Sequence, residues 1–108
     1  MKEVIKLNIK NHRAGVYAYR EIETGAVIYI GKDAALIHNK RHLDHMNPGA
    51  KSVQQHIDRV LQANPHKFVY EQVLFCSQGW LDNIEEMMIK FYKPKHNIEH
   101  NKEFKGGK

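Results

Sequence analysis

Apolar positions change their period several times along this chain, and each change predicts an element. From Gly15 to Gly31 the stretch GVYAYREIETGAVIYIG holds two β-rich runs around Glu23, Thr24 and Gly25, which predicts a hairpin with a three-residue loop and a left-handed Gly25. Upstream, Val4 to Ile9 reads as an edge strand or ordered arm within residues 1–13. Asp33 is a suitable cap for a helix through AALIHNKRHLDHM, which Asn47, Pro48 and Gly49 stop. A second helix follows from Lys51 to Ala63, with Val53, Ile57, Val60 and Leu61 on one face. KFVYEQVLF, rich in aromatic and β-branched residues, predicts a well-buried third strand. Leu81, Ile84, Met88 and Phe91 recur at helical spacing, so a last helix runs from Leu81 to Tyr92 with Pro94 just beyond. The expected architecture is α+β: a small three-stranded antiparallel or mixed sheet flanked by three helices in the order β-β-α-α-β-α. It occupies residues 14–97 and leaves 98–108 as a loose polar tail.

The hairpin register decides which side chains share a face. With a three-residue loop, opposed positions sum to an even number. Val16, Ala18, Ala26, Ile28 and Ile30 then form a core face, while Gly15, Tyr17, Tyr19, Val27, Tyr29 and Gly31 form the other. Tyrosines beside side-chain-free positions such as Gly31 leave room for a substrate or another backbone, although tyrosines are also ordinary strand residues.

Composition narrows the setting. A chain of 108 residues with 42% hydrophobic content suits one compact soluble domain, and no apolar run reaches the ~20 residues of a membrane span. The amino-terminal residues do not build a signal-peptide core, so cytoplasm is the expected location. The single cysteine, Cys76, reads as a buried, inert thiol. A net charge of +5 with eight further histidines favours a polyanionic partner.

On the first helix, Ala34, His38, Arg41 and His45 fall in one stripe, with Leu36 and Leu43 facing a core. Arg41 offers a fork of donors suited to phosphate, and His45 can donate a hydrogen bond or accept a proton near neutral pH. A solvated basic face is the plain reading of this stripe, and a zinc site from His38, His42 and His45 is another. On the last helix, Glu85 sits at the edge of the apolar stripe and Glu86 on the solvated side. A carboxylate partly withdrawn from water needs a cation, either a basic side chain or an ion such as Mg²⁺ that keeps several waters.

Taken in order, these residues resemble the GIY-YIG endonuclease superfamily. Gly15-Val16-Tyr17 and Tyr29-Ile30-Gly31 stand where that family has its two triplets; Arg41 and His45 look like its arginine and histidine four apart. IEEMMIKFYKPKHN is similar to its closing motif, with Glu85, Ile89, Pro94 and Asn97 at the matching places, and Lys51 offers a cation after the proline–glycine turn.

The resemblance implies an endonuclease that hydrolyses phosphodiester bonds in nucleic acid, DNA more than RNA, with one Mg²⁺ or Mn²⁺ on Glu85. Tyr17 would be the general base, its pKa lowered by nearby cations. Tyr29 would orient the water, His45 would bond a phenol, and Arg41 would bind a phosphate oxygen. Asn97 would tie the helix end to the hairpin, with Gly31, His38 and Lys51 along the substrate. The chain is expected to act as a monomer or homodimer. The alternatives are a non-catalytic nucleic-acid-binding module on the same fold and a zinc-organised interaction domain.

Overall fold

The computed structural model describes residues 12–47 and 56–97. The predicted arm, Lys51 and the tail therefore lie outside the described residues. Strands β1 (Ala14–Glu21), β2 (Val27–Asp33) and β3 (Phe68–Cys76) form one antiparallel sheet in the order β2-β1-β3. Helices α1 (Lys40–Met46), α2 (His56–Ala63) and α3 (Leu81–Tyr92) complete the α+β fold, with short 3-10 turns at Leu36–His38 and Gln78–Trp80. The expected order of strands and helices is the observed one, with these two turns added.

Because β1 is the central strand, every residue from Ala14 to Tyr19 is buried. One face of the sheet (Ala14, Val16, Ala18, Ile30 and Cys76) packs on Leu81 and Ile89 of α3, with Val27, Leu74, Ile84 and Met88 at the margin. On the other face Tyr17, Tyr19, Ile28 and Leu36 pack on Ile57 and Leu61 of α2. Side chains such as Val16, Ile30 and Ile89 are fully buried, each contributing on the order of 1.5–3 kcal/mol. The tyrosines, expected on an open surface, are instead roofed by helices.

The hairpin reaches the expected register by another route. Glu21 N–H donates to Ala26 O at 2.8 Å, which closes a loop of residues 22–25, and Gly25 adopts φ +76° as expected. A bulge then follows: Arg20 pairs with Val27 but Tyr19 with Tyr29, leaving Ile28 unopposed. Loop and bulge offset each other, so the pairs from Tyr19 onward sum to an even number as expected. Ile28 and Val27, however, exchange faces: Ile28 joins the tyrosines and Val27 the α3 core.

Three further expectations are corrected. Strand β3 is an edge strand, and Val69 and Val73 are 44% and 40% exposed, because only β1 has neighbours on both sides. The first helix is broken: Asn39 takes φ 53°, separating the 3-10 turn from α1, and Leu43 becomes exposed. Phe91 is exposed too, the buried line of α3 being Leu81, Glu85 and Ile89, one position away from the apolar count. Of the two sheets expected, antiparallel or mixed, the described strands form the antiparallel one.

Candidate active site

Asp33, at the end of β2, sets the first position. Its carboxylate accepts from Ala35 N–H at 2.8 Å and from Arg41 N–H at 2.9 Å, so one side chain organises both the turn and the start of α1. Helix α1 is thereby laid over the tyrosine face with Arg41 and His45 turned toward it.

Two tyrosine–histidine pairs result. The Tyr17 hydroxyl bonds His45 Nε2 at 2.7 Å, and the Tyr19 hydroxyl bonds His42 Nδ1 at 2.7 Å. Residues two apart on a strand share a face, and residues three apart on a helix are neighbours, so the two steps match. His42 also stacks on Tyr70 with ring centroids 4.0 Å apart. Tyr29 lies beside the first pair, its ring centroid 6.3 Å from that of Tyr17 and 5.8 Å from that of His45.

His45 is fully buried, and its Nδ1 lies 2.5 Å from Oδ1 of Asp58, which is 1% exposed. Asp58, on α2, is a residue that the sequence reading passed over. Its one signal is an acid beside the apolar line of Ile57 and Leu61, where a carboxylate needs a partner.

Electrostatics runs against the expected activation of Tyr17. Burial, then the neighbouring Tyr29 and Tyr19, push its pKa well above the ordinary phenol value, and the Arg41 guanidinium pulls it down by less. A standing phenolate at Tyr17, expected from nearby cations, is therefore replaced by a neutral phenol bonded to an imidazole. Tyr29 is pushed up to about 12, first by burial and then by the charge of Glu85, with Arg41 opposing. Glu85, 8% exposed on α3, is thus within electrostatic reach of Tyr29. His45 is held below the ordinary imidazole value by burial, with the Asp58 hydrogen bond opposing.

Asn97 closes the site from behind. Its Oδ1 accepts from Ile30 N–H at 2.9 Å and its Nδ2 donates to Ile30 O at 2.7 Å, fixing the strand between Tyr29 and Gly31. The space above Gly31 holds the Tyr17 phenol, which any Cβ there would overlap. Gly31 thus admits this chain's own tyrosine, where a substrate backbone was expected.

The structure brings together Tyr17, Tyr29, Arg41 and His45, with Glu85 acting on Tyr29, Gly31 beneath Tyr17 and Asn97 behind. His38 is drawn elsewhere: the break at Asn39 takes it out of the Arg41 and His45 stripe, and its Nε2 meets Arg13 at 2.9 Å. The three imidazoles proposed for zinc thus engage Arg13, Tyr19 and Tyr17 separately. A groove between β3 and α3, lined by Ala18, Val27, Val73, Met88 and Tyr92, includes none of the site residues.

No sequence-family model matches this chain, and no curated protein does. Solved structures do. The chain is similar to the GIY-YIG N-terminal endonuclease domain of UvrC from Thermotoga maritima bound to its catalytic divalent cation, magnesium. The identity is 26% over 89% of this chain and 98% of that one, with a TM-score of 0.57. An asparagine-to-alanine variant and a tyrosine-to-phenylalanine variant of the same domain, each with its catalytic divalent cation, match at 26% identity over 89% of this chain and 97% of theirs, also at 0.57. Among the described residues no helix is long and apolar enough to cross a membrane.

Proposed function

From a chain whose fold is similar to the GIY-YIG endonuclease domain of UvrC and whose sequence resembles that family's ordered motifs, we infer a metal-dependent endonuclease that hydrolyses phosphodiester bonds in DNA. The observation that carries this reading is the convergence of two phenols, an imidazole and a guanidinium, together with the Glu85 carboxylate that acts on Tyr29.

The donor set suits a hard divalent ion. Glu85 is a carboxylate largely withdrawn from water, and Mg²⁺ or Mn²⁺ binds through one or two carboxylates while keeping several waters for phosphate oxygens to replace. Held by Glu85, one such ion would supply positive charge where negative charge develops on the phosphate.

Tyr17 serves as the general base without first becoming a phenolate: its oxygen takes a proton from the attacking water as its own proton passes to His45 Nε2. Tyr29, less buried than Tyr17, orients that water or a phosphate oxygen. Arg41 binds a non-bridging oxygen and favours the charge-rich transition state. Asn97 is a positioning residue that acts through Ile30. Lys51 contacts the substrate backbone, in keeping with the net charge of +5, while His38, turned to Arg13, is left out of the site.

One observation favours the rival reading of a non-catalytic nucleic-acid-binding module: Tyr17 is 1% exposed. Labelled DNA and RNA duplexes, single strands and branched forms incubated with Mg²⁺, Mn²⁺ or EDTA decide between the two. The endonuclease cuts DNA only with metal, and Tyr17→Phe lowers the rate about 10²–10⁴-fold. Metal-independent binding without cleavage under all conditions establishes the module instead.

A further inference from the structure

Asp58 has no role in the scheme above, yet it is buried against the one group that must receive the Tyr17 proton. Helix α2 brings it to His45 from the side opposite the phenol, with both side chains at or below 1% exposure.

A carboxylate only accepts hydrogen bonds, so the His45 proton facing Asp58 belongs to the imidazole and sits on Nδ1. The Nε2 lone pair is then left for the Tyr17 hydroxyl, 2.7 Å away. In the other neutral tautomer Nε2–H would donate to the phenol oxygen, and the phenol could not pass its proton on. Which tautomer stands is a second-partner decision, and here the second partner is an acid.

Resting on the endonuclease reading, we propose that Asp58 is the positioning residue that keeps His45 a proton acceptor, so that Tyr17, His45 and Asp58 work as one relay. The step balances as follows. The water oxygen forms its bond to phosphorus as one of its protons goes to the Tyr17 oxygen. The Tyr17 proton goes to His45 Nε2, and the bond to the leaving oxygen breaks with its electron pair, that oxygen taking a proton from solvent water. The imidazolium that results lies with its Nδ1–H on the Asp58 carboxylate, a counter-charge that matters most where solvent is excluded. His45 afterwards returns its proton to Tyr17, and the proton taken from the attacking water leaves to solvent. Arg41 and Asp44 also act on His45 with opposite signs, and Asp58 is the group in direct contact.

The test pairs a spectrum with a rate, both on the full chain. Imidazole ¹⁵N NMR of the wild type is expected to show His45 protonated at Nδ1 and bare at Nε2. Asp58→Asn, which keeps the shape but can donate to Nδ1, is expected to shift that balance toward Nε2–H and to lower kcat on Mg²⁺-supplemented DNA about 100-fold or more at unchanged DNA affinity. A wild type carrying its proton on Nε2 overturns the proposal, and so does Asp58→Asn cleaving at the wild-type rate. Should Asp58→Asn fail to fold, the wild-type spectrum alone decides. A wild type that cleaves no nucleic acid overturns the endonuclease reading and the relay with it, whereas the wrong tautomer in an active enzyme overturns the relay alone.

Discussion

The side-chain amide of Asn97 holds both backbone polar groups of Ile30, accepting from its N–H at 2.9 Å and donating to its C=O at 2.7 Å across 67 residues of sequence. An amide spaced like a peptide unit thus completes the outer edge of β2 where no fourth strand lies among the described residues. Asn97→Ala strands two buried groups, each costing about 1–3 kcal/mol, so stability should fall by roughly 2–6 kcal/mol in a urea titration. Asn97→Asp should be no better, since it sets an acceptor against the Ile30 carbonyl. Cleavage should weaken in both, through loosened placement of Tyr29.

Gly31 faces a sharper constraint. Its missing side chain is the room that the Tyr17 phenol occupies. Gly31→Ala must displace that ring or move β2, with an overpacking cost of about 1–3 kcal/mol. Thermal denaturation should show the loss. The discriminating measurement is near-UV circular dichroism, whose tyrosine signal should change in Gly31→Ala and remain unchanged in the solvent-facing control Glu86→Ala.

Much of this fold was legible because its signals are local. Gly25 in a turn and Pro94 after a helix act through the backbone of neighbouring residues, and both stand where expected, whereas Asp33, expected to cap one continuous helix, ends β2 and reaches across the break to Arg41 N–H. What depends on partners far along the chain was less so. Nothing near KFVYEQVLF says that β1 lies between it and β2, so its apolar residues read as buried when Val69 and Val73 face solvent. The left-handed Asn39 is set by contacts rather than by helical propensity: its side chain accepts from Tyr70 at 2.8 Å and Gln72 at 2.7 Å, both on β3. At the site, motif order pointed to Tyr17, Tyr29, Arg41, His45, Glu85 and Asn97. Asp58 stayed hidden, since its meaning comes only from a histidine 13 residues earlier.

Glu85 separates binding from turnover. Glu85→Gln keeps the size of the side chain and removes its charge, so DNA affinity in EDTA should be unchanged or slightly higher while Mg²⁺-dependent cleavage disappears. A gel-shift titration beside a nicking assay measures both. Full cleavage by this variant would end the assignment of the metal to α3.

Acid should destabilise the protein before the carboxylates titrate. His45 and His42 are both held below the imidazole reference of 6.5 by burial. Below that reference the unfolded chain takes up protons that the folded chain refuses, so their contribution is present above pH 6.5 and is lost as pH falls toward the folded values. Melting temperature at constant ionic strength should therefore drop from neutrality into mild acid, and His45→Gln should flatten the slope. The phenols act in the opposite sense: Tyr29, pushed up to about 12, adds stability that is lost as pH rises past its unfolded value of 10.

At the hairpin tip, Ile28 absorbs the odd residue of the turn before the strands reach Tyr19. The bulge therefore works as slack in a belt: it takes up the extra residue of the four-residue turn, so that Tyr19 and Tyr29 still stand opposite each other. The far end of the hairpin, exposed at residues 22–25, is thus where new recognition sequence can be grafted while the cutting apparatus stays in tune.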